Sequence, residues 1–479
     1  MNRMFWDFSP RYFDNIAIID SDHNRAATYG ELDSDCKRLE HYLFQNEKKL
    51  AFLFCENSYS CLLAYIGLLR SGHAIVMLDS KINNELKENL INLYSPDLII
   101  TTAEELFKGY KKRSIENGIK INIIEKKPSS IKIFKDLAIL LSTSGTTGSP
   151  KLVRLSYKNI QANAESIAQY LQITENERPI SSLPLNYSYG LSVINSHFLK
   201  GACIVLTKHS FVLRNFWKTF NQYKCTSFAG VPYSYHLLKK INFDKLELPT
   251  LKTMTQAGGA LNEEMQKYFY DLTKSRGIKF FIMYGQTEAT ARISYVPFEH
   301  LRNKIGSIGI AIPNGKLKIF SGDKDITETG NEGELIYSGR NVMMGYAINR
   351  KSLIKGDELK GVLHTGDLAR KDKDGFFFLT GRMKRYVKVF GFRINLDEIE
   401  RMVENYTYCS AACFGNDGSI NIIIQSNNSA LPEIVQKRLH EIFHIHHSVL
   451  HIKAASSIPV TSSGKRDYLK IEEAFQDNE

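Results

Sequence analysis

From Ser142 the chain runs Thr143, Ser144, Gly145, Thr146, Thr147, Gly148, Ser149 and Pro150 to Lys151, a composition suited to wrapping an anion. Glycine lets backbone N–H groups converge on phosphate oxygens, the hydroxyls add donors, and Lys151 supplies a point charge. The loop suits a polyphosphate. It is not a Walker A loop, because GxxxxGK[ST] counted from Gly145 needs glycine where Pro150 sits and a hydroxyl where Leu152 sits. A second set is Tyr284, Gly285, Gln286, Thr287 and Glu288. Tyrosine offers a flat face for stacking, and a hard cation bridging phosphates needs a carboxylate oxygen. Gly258 and Gly259 before Ala260, Gly366 before Asp367, and Gly464 before Lys465 read singly as turns or a solvated tail.

Elements must hold these residues in place. The apolar run 137–141 reads as the strand feeding the loop, and 159–170 as a helix whose first turn is placed to lend amides to bound phosphates. Upstream, apolar runs at 16–19, 50–55, 74–78 and 98–101 alternate with helical patterns after Tyr29 and near 58–69. That alternation predicts parallel strands with crossover helices, a layered α/β domain. Residues 108–128 are charged and aperiodic and read as a surface connection. Residues 228–232 and 256–260 read as strands ending in glycine turns. The glycine-punctuated stretches 306–313 and 333–346 read as turns and strands of a small β subdomain, and 395–479 as a small α+β lid.

At 479 residues the chain is too long for one compact core. Its 43% apolar and 24% charged content is ordinary for a globular protein. There is no run of eighteen apolar residues, and residues 1–15 lack a basic segment followed by an apolar one, so neither a membrane span nor secretion is expected. The seven cysteines are scattered without a CxxC pair, which fits a reducing cytoplasm. The formal charge of +11 suits an anionic partner, although the lysines are spread along the chain as a solvated surface would have them, and no nucleic-acid-binding module is present. His440, His444, His447 and His451 fall at helix-like spacing, but 448–452 reads as a turn and strand and no further ligand completes a metal set.

The loop 142–151 resembles the phosphate loop of the adenylate-forming superfamily: acyl- and aryl-CoA synthetases, amino-acid adenylation domains and luciferases. The remaining pieces follow in the family's order across nearly the whole chain. Residues 183–191, Leu-Pro-Leu-Asn-Tyr-Ser-Tyr-Gly-Leu, are similar to the segment lining the family's acid pocket, with Tyr187 where many relatives carry His. The resemblance places Tyr187, Ser188, Ser192 and Val231 in that pocket. It sandwiches adenine between Gly258, Gly259 and Tyr284, with Ala260, Gly285 and Gln286 also in the ATP site and Ile282 where relatives often have an amide. Thr287 would touch the α-phosphate and Glu288 would hold Mg²⁺. Asp367 would accept hydrogen bonds from the ribose hydroxyls, joined by Arg382. Lys384 would be the hinge between a large domain, 1–383, and a lid, 384–479. Gly391 would face the thiol channel, and Lys465 would reach the acid and the α-phosphate.

The resemblance implies ATP and Mg²⁺ as cofactors and a small carboxylic acid as substrate. An acyl-adenylate would form with release of pyrophosphate, and the acyl group would pass to coenzyme A or to a phosphopantetheinyl carrier protein supplied in trans, since no carrier segment follows Glu479. Two alternatives stand beside an acyl-CoA synthetase. A freestanding amino-acid adenylating enzyme needs a counter-charge for the ammonium, and 186–192 contains no acidic residue. A degenerate binding protein of the same fold would not need Lys465, Glu288 and Asp367.

Overall fold

The computed structural model describes residues 3–43, 47–82, 84–105, 107–114, 121–126, 129–142, 151–383, 385–389, 392–416, 418–443, 446–461 and 465–476. An eight-stranded sheet orders its strands Gly345–Ala347, Leu152–Ser156, Leu137–Ser142, Ala74–Asp79, Leu50–Cys55, Leu98–Thr101, Asn122–Glu125 and Lys111–Ser114. The four from Leu137–Ser142 to Leu98–Thr101 are parallel. Such strands are buried on both faces and read as continuous apolar runs. Along Leu50–Cys55 the pleat sends Ala51, Leu53 and Cys55 to the core shared with helix Tyr59–Arg70, and Leu50, Phe52 and Phe54 to the core shared with helix Asn84–Tyr94.

Three sequence expectations need correction. Strand Ile16–Asp20 lies outside this sheet, pairing antiparallel with Arg25–Thr28 and parallel with Ile204–Leu206. The connection expected at 108–128 contributes the two antiparallel edge strands, because Ile121, Ile123 and Ile124 are buried and pin an otherwise charged stretch. Strand Gly345–Ala347 closes the other edge of the large sheet instead of joining the small β unit.

A second sheet runs Ser227–Gly230, Thr253–Gln256, Lys279–Tyr284, Ser294–Tyr295 and Ile310–Ala311, its first three strands parallel. Gly230 pairs with Gln256, and Gln256 with Ile282, so the segments from Val231, Ala257 and Gly285 onward leave their strands at one end of the sheet. Ligands of open α/β sheets bind outside the carboxyl ends of strands. An antiparallel five-stranded sheet follows, built from Lys324–Asp325, Lys316–Ser321, Glu332–Ser338, Val362–Lys371 and Phe377–Arg382.

The C-terminal domain has its own core. Hairpin Tyr386–Val389 and Phe392–Asn395 precedes a sheet of Ala411–Asn416, Ser419–Gln425 and Leu450–Ala455, with helices Leu396–Thr407, Leu431–Phe443 and Tyr468–Gln476. It docks on the preceding domain through Arg401, whose Nη1 donates to the Leu379 carbonyl at 2.8 Å and whose Nη2 donates to the Thr380 carbonyl. No described helix is long and apolar enough to cross a membrane.

Candidate active site

Close backbone approach brings the acid-pocket and glycine-pair candidates together. Gly258 sits at φ +87°, where a side chain is strained, and a Cβ there would meet the Tyr187 hydroxyl at 2.5 Å and Val231 Cγ1 at 3.1 Å. Tyr187 is the N-cap of helix Ser188–Phe198. Ser188 Oγ lies 3.3 Å from Thr287 Oγ1 in the short helix Thr287–Ala289. Burial pushes the Tyr187 hydroxyl up to about 12. Ser192 is buried and its hydroxyl donates to the Tyr189 carbonyl at 2.7 Å, so it is spent on its own helix. Gly259 and Ala260 are exposed beyond this cluster.

Asp367 collects donors. It faces Arg382 across the antiparallel pair, Arg382 Nε lies 3.0 Å from Oδ1, Gln286 Nε2 lies 2.9 Å from Oδ2, and the Tyr284 hydroxyl also donates to Oδ2. Burial and the Asp367 charge together raise the Tyr284 pKa well above the phenol value. The Gly366–Asp367 pair, read singly as a turn, lies inside strand Val362–Lys371. Asp367 is buried while the Arg382 side chain is 62% exposed, so the pair presents its guanidinium outward.

Glu288 meets a residue that sequence reasoning took only for a strand position. The Tyr346 hydroxyl donates to Glu288 Oε1 at 2.9 Å, and Lys151 Nζ stands 3.3 Å from the Tyr346 ring centroid. Tyr346 is held by register with Val153 and by buried Arg154, whose Nε donates to the Tyr346 carbonyl at 3.2 Å and whose Nη2 pairs with Glu358. Only its place in motif order signalled Tyr346. Among the described residues no group of three or more His, Cys, Asp or Glu gathers as a metal cluster. A single carboxylate with Oε1 engaged fits Mg²⁺, which keeps waters and substrate phosphates as ligands and takes only one or two protein carboxylates.

Lys465 comes from the C-terminal domain, its Nζ 5.5 Å from the Tyr187 ring centroid. The backbone around it is clamped. Thr461 N donates to the Lys465 carbonyl at 2.7 Å, Lys465 N donates to Thr461 Oγ1 at 3.2 Å, and neighbouring Arg466 ion-pairs with both Glu400 and Glu404. Glu400 also accepts from Tyr468 at 2.7 Å and from Arg385 Nη2 at 3.3 Å. Burial lowers the Lys465 pKa, Arg382 lowers it further, and Glu288 acts the other way.

Some candidates are placed otherwise. Thr143, Ser144, Gly145, Thr146, Thr147, Gly148, Lys384 and Gly391 lie outside the described residues, while Ser142 ends its strand exposed. The first turn of helix Tyr157–Tyr170 starts away from Ser142, the last described residue before the loop. Its cap, Ser156, pairs with Leu137 at the opposite end of the strand pair from Ser142, about 17 Å away at ~3.4 Å per residue, and already takes the Asn159 amide. Ile282 packs into the core on the other side of its strand from Phe281 and Met283. His440, His447 and His451 sit on a helix, a turn and a strand, and His444 lies outside the described residues. Arg292, not singled out in the sequence, is buried with its guanidinium 4.0 Å from the Tyr189 ring centroid.

A mixed α/β chain with hydroxyl, carboxylate and lysine groups gathered at strand ends and faced by a C-terminal domain has counterparts. Residues 5–347 match the family described as AMP-binding enzyme, and the chain belongs to that family. It is 31% identical over 317 residues to the probable 4-coumarate–CoA ligase 2 of Dictyostelium discoideum, a match covering 62% of this chain and 56% of that protein. The chain thus spans little more than half the length of that relative. Its fold is similar to that of Klebsiella oxytoca NpsA in complex with 3-hydroxyanthranilyl-AMSN, at TM-score 0.80 and 18% identity over 98% of each chain. It is also similar to Bacillus subtilis O-succinylbenzoate coenzyme A synthetase in complex with ATP and magnesium ion, at TM-score 0.75 and 21% identity over 95% of this chain and 96% of that one.

Proposed function

We propose that the chain is an ATP- and Mg²⁺-dependent carboxylic acid–thiol ligase. A carboxylate oxygen attacks the α-phosphorus of ATP, its P–O bond to pyrophosphate breaks, and the acyl group of the resulting adenylate passes to the thiol of coenzyme A or a phosphopantetheinyl carrier. The observation that carries this reading is the approach of Lys465 to Tyr187, within a few residues of the Ser188–Thr287 contact. The reaction brings one anion against another, so its barrier falls chiefly through positioning and charge neutralisation.

In this reading the loop 142–148 and Lys151 hold the polyphosphate. Gly258, Gly259, Ala260, Tyr284 and Gly285 flank adenine, and Asp367 with Arg382 and Gln286 orients the ribose. Thr287 donates to the α-phosphate, and Tyr187, Ser188, Ser192 and Val231 shape the acid pocket. Glu288 would hold Mg²⁺, which when bound neutralises phosphate charge. The large domain, 1–383, binds both reactants. The lid, 384–479, turns about Lys384 to exchange Lys465 for the Gly391 segment. Seven free thiols, six of them buried, support a reducing cytoplasm.

The test is acid-dependent pyrophosphate release from ATP and Mg²⁺ over aliphatic, aromatic and amino acids, followed by thioester formation on added coenzyme A. Release with a carboxylic acid and a coenzyme A thioester is the expected result. Silence with every acid, from folded protein that binds ATP, overturns the reading.

A further inference from the structure

Against Tyr189, two residues from Tyr187 of the proposed acid pocket, stands a second cation that the reaction just described does not use. Arg292 is 2% exposed and follows two consecutive residues in the left-handed region, Thr290 at φ 56° and Ala291 at φ 109°. A side chain at φ 109° is strained, and such strain persists only where surroundings impose it. They do so here. Asn341 Nδ2 donates to the carbonyls of Ala289 at 2.7 Å and Arg292 at 2.8 Å, and Thr290 Oγ1 donates to the Asn341 carbonyl at 2.6 Å. The turn folds onto Gly285, where any Cβ would meet the Ala291 carbonyl oxygen at 1.8 Å. Arg292 is thereby aimed into the interior against Tyr189.

The other buried arginines among the described residues have carboxylates: Arg350 has Asp97 and Arg154 has Glu358, and half-buried Arg466 has Glu400 and Glu404. Arg292 has none among the described residues. Its Nη1 donates to the Ala291 carbonyl at 3.3 Å, and its Nε is buried without a partner. Its neighbours offer no anion. The Tyr170 hydroxyl accepts a hydrogen bond from Arg292 while donating to the Met283 thioether at 2.9 Å, and the Arg292 charge reaches Tyr170, Tyr187 and Tyr189, opposing the rise that burial imposes on their hydroxyls. A buried cation without an anion is costly, and a guanidinium fork matches a carboxylate through two parallel hydrogen bonds.

Tyr187 and Tyr189, their ring centroids 6.2 Å apart, separate two cations: Lys465 stands 5.5 Å from the first ring and Arg292 4.0 Å from the second. Resting on the ligase reading, we propose that Arg292 is a specificity-determining residue that binds a second carboxylate of the substrate, so that the acids activated are dicarboxylic, one carboxylate reacting beside Lys465 and the other held by Arg292.

The test measures pyrophosphate release by the whole chain with matched mono- and dicarboxylic acids of equal length, aliphatic and aromatic. In the wild type, kcat/KM should favour the diacid by about ten- to a hundredfold at the best length, the range for hydrogen bonds to a charged group. Arg292→Met should collapse that ratio mainly through KM, and Arg292→Lys, which keeps the charge without the fork, should restore part of it. A wild type that prefers the monoacid of every pair overturns the inference and leaves the ligase standing. So does a diacid preference that survives Arg292→Met in protein that unfolds at the wild-type temperature. If Arg292→Met does not fold, Arg292→Lys alone decides, since an unchanged ratio there removes the bidentate site. Release with neither kind of acid overturns the ligase reading, and this inference with it.

Discussion

Lys465 Nζ lies 5.5 Å from the ring centroid of Tyr187, so a residue of the C-terminal domain stands at the N-cap of helix Ser188–Phe198. Lys465→Ala should slow acyl-adenylate formation by about a hundred- to a thousandfold, since a preorganised charge at a developing anion is worth a few kcal/mol. Transfer from supplied adenylate to the thiol should change far less. Because burial lowers the Lys465 pKa, kcat/KM for the first step should begin to fall on the alkaline side below the usual lysine range. Equal loss in both half-reactions would remove Lys465 from the first step.

Asp367→Ala removes the acceptor shared by Arg382, Gln286 and Tyr284. ATP affinity by calorimetry should weaken by about 1.5 to 3 kcal/mol, and Asp367→Asn, which keeps one acceptor oxygen, should lose less. Unchanged ATP binding in a folded Asp367→Ala variant takes this residue out of the nucleotide site.

Glu400 ties Arg385, Arg466 and Tyr468 together, and Arg466 directly follows Lys465. Glu400→Ala leaves two charged partners short of a carboxylate in a buried setting, and urea denaturation should show a loss of about 3 kcal/mol. Adenylation should fall as well, because Arg466 no longer anchors its neighbour. A variant with wild-type stability would mean that Asp397 and Glu404 hold the arginines unaided.

For the hinge, Lys384→Pro fixes φ near −65° and restricts the residue before it. Since Lys465 already faces Tyr187 in this arrangement, adenylation should largely survive while thioester formation is lost. Undiminished thioester formation on the purified variant would show that no rotation at Lys384 is required.

Burial holds the His197 imidazole down at about 4, and its Nδ1 sits 2.7 Å from the Val193 carbonyl on helix Ser188–Phe198. The unfolded chain, with an ordinary histidine pKa near 6.5, takes up the proton first as pH falls. Stability from this group is therefore present above about pH 6.5 and is lost on descending to about pH 4, by about 3 kcal/mol. Denaturation midpoints at both ends of that window should converge for His197→Gln relative to wild type; parallel curves would rule the group out.

The family and the α/β class were legible because their signals are local: the loop 142–151, Tyr284 to Glu288, Asp367 and Lys465 are short motifs whose order along the chain is itself information. The same locality misled where strand direction matters. Nothing in residues 137–170 states that Leu152–Ser156 runs back along Leu137–Ser142, and that reversal carries the start of the Tyr157–Tyr170 helix away from Ser142. Tyr346 reaches Glu288 only because Gly345–Ala347 registers against Leu152–Ser156, a pairing between segments nearly two hundred residues apart that buried Arg154 secures. Arg292 carries no motif that singles it out in the sequence. A strained turn over Gly285, closed by Asn341 from another part of the chain, makes it an interior charge. Residue chemistry and motif order were thus set by the sequence alone, whereas which charges are desolvated and which oxygens stay open was decided by tertiary packing, because burial is a property of neighbours that one-dimensional spacing does not contain.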